Sequence, residues 1–279
     1  IFPIHNLTGR VIGFGGRILS SDKSKAKYLN SPESDIYNKS KVLYGIYHAR
    51  NAIVKQNNCF LVEGYTDVIS LHQADIQNVV ASSGTSLTVD QIKLISRYTQ
   101  NITILFDGDP AGIKASFRGI DLILEQGLNV KIVLFPEGED PDSYVRNHTT
   151  SETELFINDS AVDFIKFKTG LLKEETEGDP AARSQLIKDI ILTISKIPDG
   201  ISRSVYIKEC SVLLEVREQT LMNELNKLLR LKFRKKNTPY ADAPIPDIID
   251  NAPKQIEIDP LDVSFLENDL SRLLMQFGN

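Results

Sequence analysis

Seven carboxylates close three short apolar runs of the chain. Glu63 follows Cys59-Phe60-Leu61-Val62, with Asp67 four residues on; Asp107 and Asp109 follow Ile102–Phe106; Glu139, Asp140 and Asp142 follow Val130–Phe135. Carboxylates gathered at one place repel one another and hold their protons more tightly unless a cation sits between them. Mg2+ suits that position, because it takes oxygen ligands, keeps several waters and is commonly shared with phosphate oxygens. A site of that kind supports phosphoryl or nucleotidyl transfer. The plain alternative for Asp107-Gly108-Asp109-Pro110 is a turn and a helix cap. Against it stands the recurrence of acidic motifs after separate apolar runs within one alternating unit. The histidines, His5, His48, His72 and His148, show no metal-ligand spacing and are expected to be ordinary surface or core residues. Two cysteines, Cys59 and Cys210, cannot build a zinc ribbon or a disulfide framework.

The elements that must place these acids alternate. Runs at 59–63, 79–81, 102–106 and 130–135 read as strands, and 66–74, 88–98 and 110–125 as helices, which implies a largely parallel sheet covered on both faces. In such sheets ligands bind at the carboxyl ends of the strands, where the acids fall. Ahead of this unit, residues 10–19 read as a strand broken by glycines. No Gly-Lys-Ser/Thr follows, so a phosphate-cradling loop is not supported, and a turn or bulge is the expected role of those glycines. Residues 41–56 read as a helix. Beyond 150 the strands are expected to stop, and helices at 152–168, 180–197, 202–214 and 217–234 form a small bundle.

The chain has 279 residues, and at about 150 residues per domain it has room for two. Its net charge of −5 conceals a basic segment, 1–58 at +6, beside an acidic one, 59–150 at −6. That juxtaposition suits a polyanion-binding face next to a carboxylate site. No run of about 18 apolar residues offers a membrane span, and no signal peptide is visible. The first residue is Ile1, so the chain is read as a piece of something longer.

Glu63-Gly64-Tyr65-Thr66-Asp67, Asp107-Gly108-Asp109-Pro110-Ala111-Gly112 and Glu139-Asp140-Pro141-Asp142 resemble the metal-binding motifs of Toprim domains, which occur in primases, topoisomerases and some nucleases. The basic segment narrows the likeness. Arg10–Arg17, Lys27-Tyr28-Leu29-Asn30-Ser31-Pro32-Glu33, and Lys39 through Leu43-Tyr44-Gly45 are similar to the polymerase domain of bacterial DnaG-type primases. The likeness is continuous from Ile1 to about Asn147, and the helical bundle fits more loosely. The N-terminal zinc module and the early part of the polymerase domain have no counterpart here. Zinc therefore belongs only to that absent module.

The resemblance implies an α/β fold: a Toprim-type, mostly parallel sheet flanked by helices, preceded by a partial basic α/β subdomain and followed by a small helical bundle. The expected divisions are 1–57 (basic subdomain), 58–148 (Toprim), 149–236 (bundle), 237–260 (linker) and 261–279 (start of a truncated helicase-interaction region). Glu63 is the implied central acid. Asp107 and Asp109 are expected to hold Mg2+, with Mn2+ also compatible, and Asp140 and Asp142 a further ion or the nucleotide phosphates. Asp67 supports the site or is a weak ligand. Lys39 joins the catalytic set, and with Arg17, Lys27 and Asn30 forms the face that meets nucleic acid and nucleotide. Tyr28 offers a stacking surface, and Gly84-Thr85 a close backbone approach to phosphate. The implied activity is synthesis of short RNA primers on single-stranded DNA from ribonucleoside triphosphates. The implied partner is a replicative helicase, reached through the C-terminal region, and the implied place is the bacterial cytoplasm, nucleoid-associated at replication forks. Two alternatives stay open. One is another Toprim protein, a topoisomerase or nuclease subunit, although none of the nine tyrosines stands in a nucleophile motif. The other is a binding fragment left inactive by its missing parts.

Overall fold

Phe2–His5 (β1), Val11–Arg17 (β2) and Tyr28–Asn30 (β3) form an antiparallel sheet in the order β1-β2-β3. The structure, a computed structural model, describes residues 1–18, 28–84, 86–108, 110–176 and 178–236. The register shifts between Ile4 and His5, so the irregularity in β2 falls at Ile12. The expected bulge thus falls beside Gly13, whereas Gly15 and Gly16 are in regular pairing, so no bulge falls at them. The role of Gly13 and Gly15 is packing: a Cβ on Gly15 would lie 2.6 Å from the Tyr65 ring, and one on Gly13 3.1 Å from the Tyr37 ring. The glycines let two buried tyrosines lie flat against the strand.

The helix expected from Lys41 begins later. Lys39–Lys41 is a 3-10 turn, Val42 is extended, and α1 runs Ile46–Gln56. Gly45 interrupts the pattern with a φ of 84°, where a side chain would also meet Val68 and the Val79 carbonyl. Tyr44, just before it, exchanges backbone hydrogen bonds with Ala81.

Cys59–Val62 (β4), Val79–Ala81 (β5), Asn101–Phe106 (β6) and Asn129–Leu134 (β7) then build the main sheet, in the order β5-β4-β6-β7 and parallel throughout. The connecting helices are α2 (Tyr65–Gln73), α3 (Val89–Ile95) and α4 (Pro110–Glu125). Ile102, Ile104, Leu105 and Phe106 are all buried, as near-continuous apolar strands must be when both faces are covered. Strands do not stop at 150. Val162–Asp163 (β8) pairs antiparallel with β7 through Lys131 and Ile132.

The remaining helices are α5 (Pro141–Asn147), α6 (Thr150–Ser160), α7 (Phe164–Thr176), α8 (Pro180–Ile194), α9 (Gly200–Leu213) and α10 (Glu218–Lys236). Asp140, Thr149, Asp179 and Asp199 cap α5, α6, α8 and α9 through side-chain oxygens, which fixes those starts. Leu186, Ile190, Ile207, Leu221 and Leu225 share one core with Ile46, Ile92 and Ile120. The other face of the sheet packs Val68 and Leu71 of α2 against Phe135 and Tyr144. Residues 1–235 form one compact unit. Its polar seam is built on α4. Lys168 Nζ donates to Thr193 Oγ1 (2.6 Å), Thr193 donates to Asp121 (3.0 Å), and Lys196 pairs with Asp121 (2.9 Å) and Glu125 (3.3 Å). No helix among the described residues is long and apolar enough to cross a membrane.

Candidate active site

β4 and β6 are hydrogen-bonded neighbours, so the residues that follow them emerge side by side at the carboxyl edge of the sheet. Glu63 leaves β4 exposed, and its carboxylate makes no hydrogen bond or ion pair with a described residue. Its backbone is held: the Glu63 carbonyl accepts from Ser83 N (3.1 Å) in the loop after β5. Asp107 leaves β6 half-buried. Gly108 N then donates to the Glu139 carbonyl (3.0 Å), and a Cβ at Gly108 would lie 2.1 Å from the Pro136 carbonyl oxygen. Only glycine lets the loops after β6 and β7 approach this closely.

That contact places Glu139. Its Oε2 atom is buried without a hydrogen-bond partner among the described residues. A buried carboxylate oxygen with no donor keeps its full desolvation cost. An oxygen donor of this kind suits a hard divalent cation. The residues present fit such an ion.

The other acids of the motif have work inside the fold. Asp67 Oδ2 accepts from Gly64 N (2.9 Å) and caps α2. Burial foremost, then repulsion from Asp140, Asp142 and Glu63, pushes its carboxyl up to about 6, against the partial relief of the Gly64 bond. Asp67 thus feels the charge of all three. Asp140 accepts from Ser143 N (2.7 Å) at the start of α5. Asp142 is buried, accepts from Ser70 Oγ, and pairs with Arg146 (2.7 Å). Among the described residues no three His, Cys, Asp or Glu side chains converge closely enough to hold a metal. Asp109, Lys27 and Thr85 lie outside the described residues.

The basic face meets the rim through Tyr65. Its hydroxyl donates to Asn30 Oδ1 (2.7 Å), and Asn30 Nδ2 donates to the Ser83 carbonyl (3.0 Å). Asn30, expected to meet nucleic acid, thus has both ends of its amide committed to joining β3 to the loop beside Glu63. Gly84, at φ 85°, stands with its Cα side 3.2 Å from the same Asn30 amide, measured to the position a Cβ would take. Tyr65 stacks on Phe2 (4.9 Å, 5°) and meets Tyr44 edge-on (4.7 Å). Burial first, and Tyr37 beside it, push its phenol up to about 12, so it stays a donor. Tyr28 is half-buried against Tyr65 (6.4 Å) and carries the Arg17 guanidinium 5.7 Å from its ring centre. Its ring is therefore already in use on one side. Lys39 is half-buried. Its carbonyl accepts from Gln91 Nε2 (3.1 Å) and its N–H donates to Glu33 (3.0 Å), while Nζ makes no bond to a described residue.

Sequence reasoning passed over Tyr65, Ser83 and Gln91 as site-building residues. The Gly15–Tyr65 fit was the available signal, and it needs both ends of the contact. The histidines, dispersed along the chain, gather in space: His5, His48 and His72 line one cavity of about 310 Å³.

Three family models match the chain: a Toprim-like family at residues 60–145, the N-terminal domain of the DNA primase catalytic core at 1–50, and the DnaB-helicase binding domain of primase at 177–219. A crystal structure of a DNA primase domain from Pseudomonas aeruginosa superposes with a TM-score of 0.70 at 34 % identity, covering 81 % of this chain and 71 % of that one. The chain belongs to the bacterial DnaG primase family. A DnaG catalytic core matches at a TM-score of 0.68 and 36 % identity, over 79 % of this chain and 71 % of that one. The DNA primase of Clostridium acetobutylicum is 43 % identical over 225 residues, covering 79 % of this chain and 36 % of the relative. That of Halalkalibacterium halodurans is 38 % identical, covering 82 % and 38 %. The chain thus spans little more than a third of the length of these DnaG relatives. The helicase-binding match falls on α8 and α9, not on the C-terminal segment 261–279, which lies outside the described residues.

Proposed function

We propose that this chain is the catalytic part of a DnaG-type primase and joins ribonucleotides into short primers on a single-stranded DNA template. One observation carries the reading: Glu63 and Asp107 leave adjacent parallel strands at one rim, and the Gly108 hydrogen bond brings the Glu139 backbone to the loop after β6. Mg2+, or Mn2+ in its place, supplies charge neutralisation between these acids and the nucleotide phosphates when bound. Glu63, Asp107 and Asp109 are the residues assigned to hold it, with Glu139 as an added oxygen donor. Asp140 and Asp142 act on the ion at a distance, through the charge they bring and the loop they fix. Lys39, Arg17 and Lys27 neutralise template and nucleotide phosphates. Asn30 and Tyr65 keep the basic sheet at a set distance from Glu63. A replicative helicase is the proposed partner, reached through the segment matched at 177–219. Residues 58–148 are taken as the Toprim unit and 149–236 as the bundle.

The test is incorporation of labelled ribonucleotides on primed and unprimed single-stranded templates, with Mg2+ and with chelator. Metal-dependent extension supports the reading. Strand cleavage in place of extension would assign the rim to another Toprim chemistry. Template binding without either reaction would make this chain a binding fragment.

A further inference from the structure

A second cavity, of about 430 Å³, lies away from the acidic rim, between the end of β1, the 3-10 turn with the start of α1, and α3. Its volume is in the range of small-molecule sites. Lys41, Lys93 and Arg97 line it, and none of the three makes a side-chain hydrogen bond or ion pair with a described residue. Lys93 lies on α3, Arg97 in the turn that follows it, and Lys41 on another element, and all three line the same cavity. Three cations around one hollow, with Asp90 the one acid lining it, repel one another, and an anion relieves that cost. The lining also offers apolar surface from the half-buried Leu7 and Val42, with buried Ile46 and Leu94 behind them. Asp90 is the single carboxylate among the lining residues.

We propose that this cavity is a second, metal-independent nucleotide site, with phosphates on Lys41, Lys93 and Arg97 and the base against Leu7 and Val42. Phosphate-bearing ligands come as free nucleotides or as a nucleic acid strand, and Asp90 decides between them. A carboxylate in the lining repels a continuous phosphodiester track, whereas it accepts a hydrogen bond from a ribose hydroxyl or an amino group of a base. The cavity is coupled to the basic face. Gln91 and Thr88 of the α3 segment bind the carbonyls of Lys39, Val42 and Ser40 (3.1, 2.9 and 2.5 Å), so a ligand seated here bears on the turn that carries Lys39.

The experiment is calorimetric titration of the chain with ATP in chelator, where a metal-dependent rim site is silent. One ATP per chain is expected. Lys93→Ala and Arg97→Ala are each expected to weaken it about tenfold or more, as loss of a charge-assisted contact does. Both side chains are exposed, and circular dichroism verifies the fold. Equal ATP affinity in wild type and both variants would overturn the proposal. So would ATP binding that appears only with Mg2+ and is lost in Glu63→Gln, because that is the rim. An oligothymidylate that displaces ATP at equal phosphate concentration, with the same dependence on Lys93 and Arg97, would make the cavity part of a strand track and overturn it as well. Primer synthesis is not the readout, so failure here leaves the proposed activity standing.

Discussion

After β4 and β7 two acids lack a hydrogen-bond partner among the described residues for a carboxylate oxygen, whereas near the C-terminal end of α4 each charge is answered. Neither Glu63 nor the buried Glu139 Oε2 has a hydrogen-bond partner among the described residues. Asp121, by contrast, receives Thr193 and Lys196, and Lys168 is held against Thr193 at 2.6 Å although only 6 % of it is exposed. Burial still depresses the Lys168 ammonium, with Asp121 opposing, while the Asp121 and Glu125 contacts outweigh burial and raise Lys196. Within one compact unit the same chemistry is balanced in one place and left unbalanced in another. The balanced network seats the helical bundle on α4. The unbalanced one stores a demand for a cation at the other end of the same helix.

The largest effect that separates the two belongs to the rim. Glu63→Gln is expected to lower nucleotidyl transfer about a thousandfold, the equivalent of several kcal/mol of lost charge stabilisation, with circular dichroism and melting unchanged. Undiminished primer synthesis in that variant would remove Glu63 from the site.

At the seam the sign reverses: stability falls and the rim keeps its chemistry. Asp121→Ala leaves buried Lys168 without its anion and should cost about 3 kcal/mol in chemical denaturation. Joint replacement of Asp121 and Lys168 by leucine and methionine should recover most of that loss. A single variant as stable as wild type would mean the seam is ornament to an apolar interface.

Cation addition sharpens the contrast. Saturation to a hundredfold excess over Kd stabilises by about 2.7 kcal/mol, so melting should rise by several degrees with Mg2+. Glu139→Gln should raise the melting point without metal and shrink the rise with it. If wild type and Glu139→Gln shift equally, the ion sits elsewhere.

The pH dependence is smaller and has a definite direction. Asp67 binds its proton more tightly folded, at about 6, than unfolded, near 3.9. The stability this gives is complete below about pH 4 and is lost as pH rises through 6. Asp67→Asn keeps an acceptor for Gly64 and should flatten the metal-free melting curve across that window. The smallest effect is expected on the basic face. Lys39→Ala should reduce the log–log salt slope of single-strand binding by about 0.7, read by fluorescence anisotropy. An unchanged slope would place the template away from Lys39.

Much of this was legible in the sequence, and the failures have physical causes. Apolar runs of four to six residues ending in acids announced β4, β6 and β7, and with them the rim. β8 was not legible, because two residues, Val162 and Asp163, carry no periodicity and gain their identity from pairing with β7. The late start of α1 turns on Gly45, whose left-handed backbone a helical pattern of side chains does not reveal. The place of Asn30 on the nucleic-acid face comes from the family resemblance, and its structural role could not be read beside it. Its partners, Tyr65 and Ser83, lie 35 and 53 positions away and become neighbours only in the fold. The orphaned Glu139 oxygen depends in turn on the approach of Gly108 to Pro136.

The outer strands of the main sheet bear on how the molecule can be divided. β5 is bordered by Tyr44, which exchanges two backbone bonds with Ala81, and β7 is bordered by β8. Tyr44 precedes residue 58 and β8 follows residue 148. A fragment cut to 58–148 would therefore lose both borders at once and present two rows of unsatisfied amides and carbonyls to solution. Open strands of that kind recruit one another. Such a fragment should self-associate when expressed alone, whereas one running from Ile1 past Asp163 keeps its flanks closed. The sheet that carries the acids is made soluble by segments outside it.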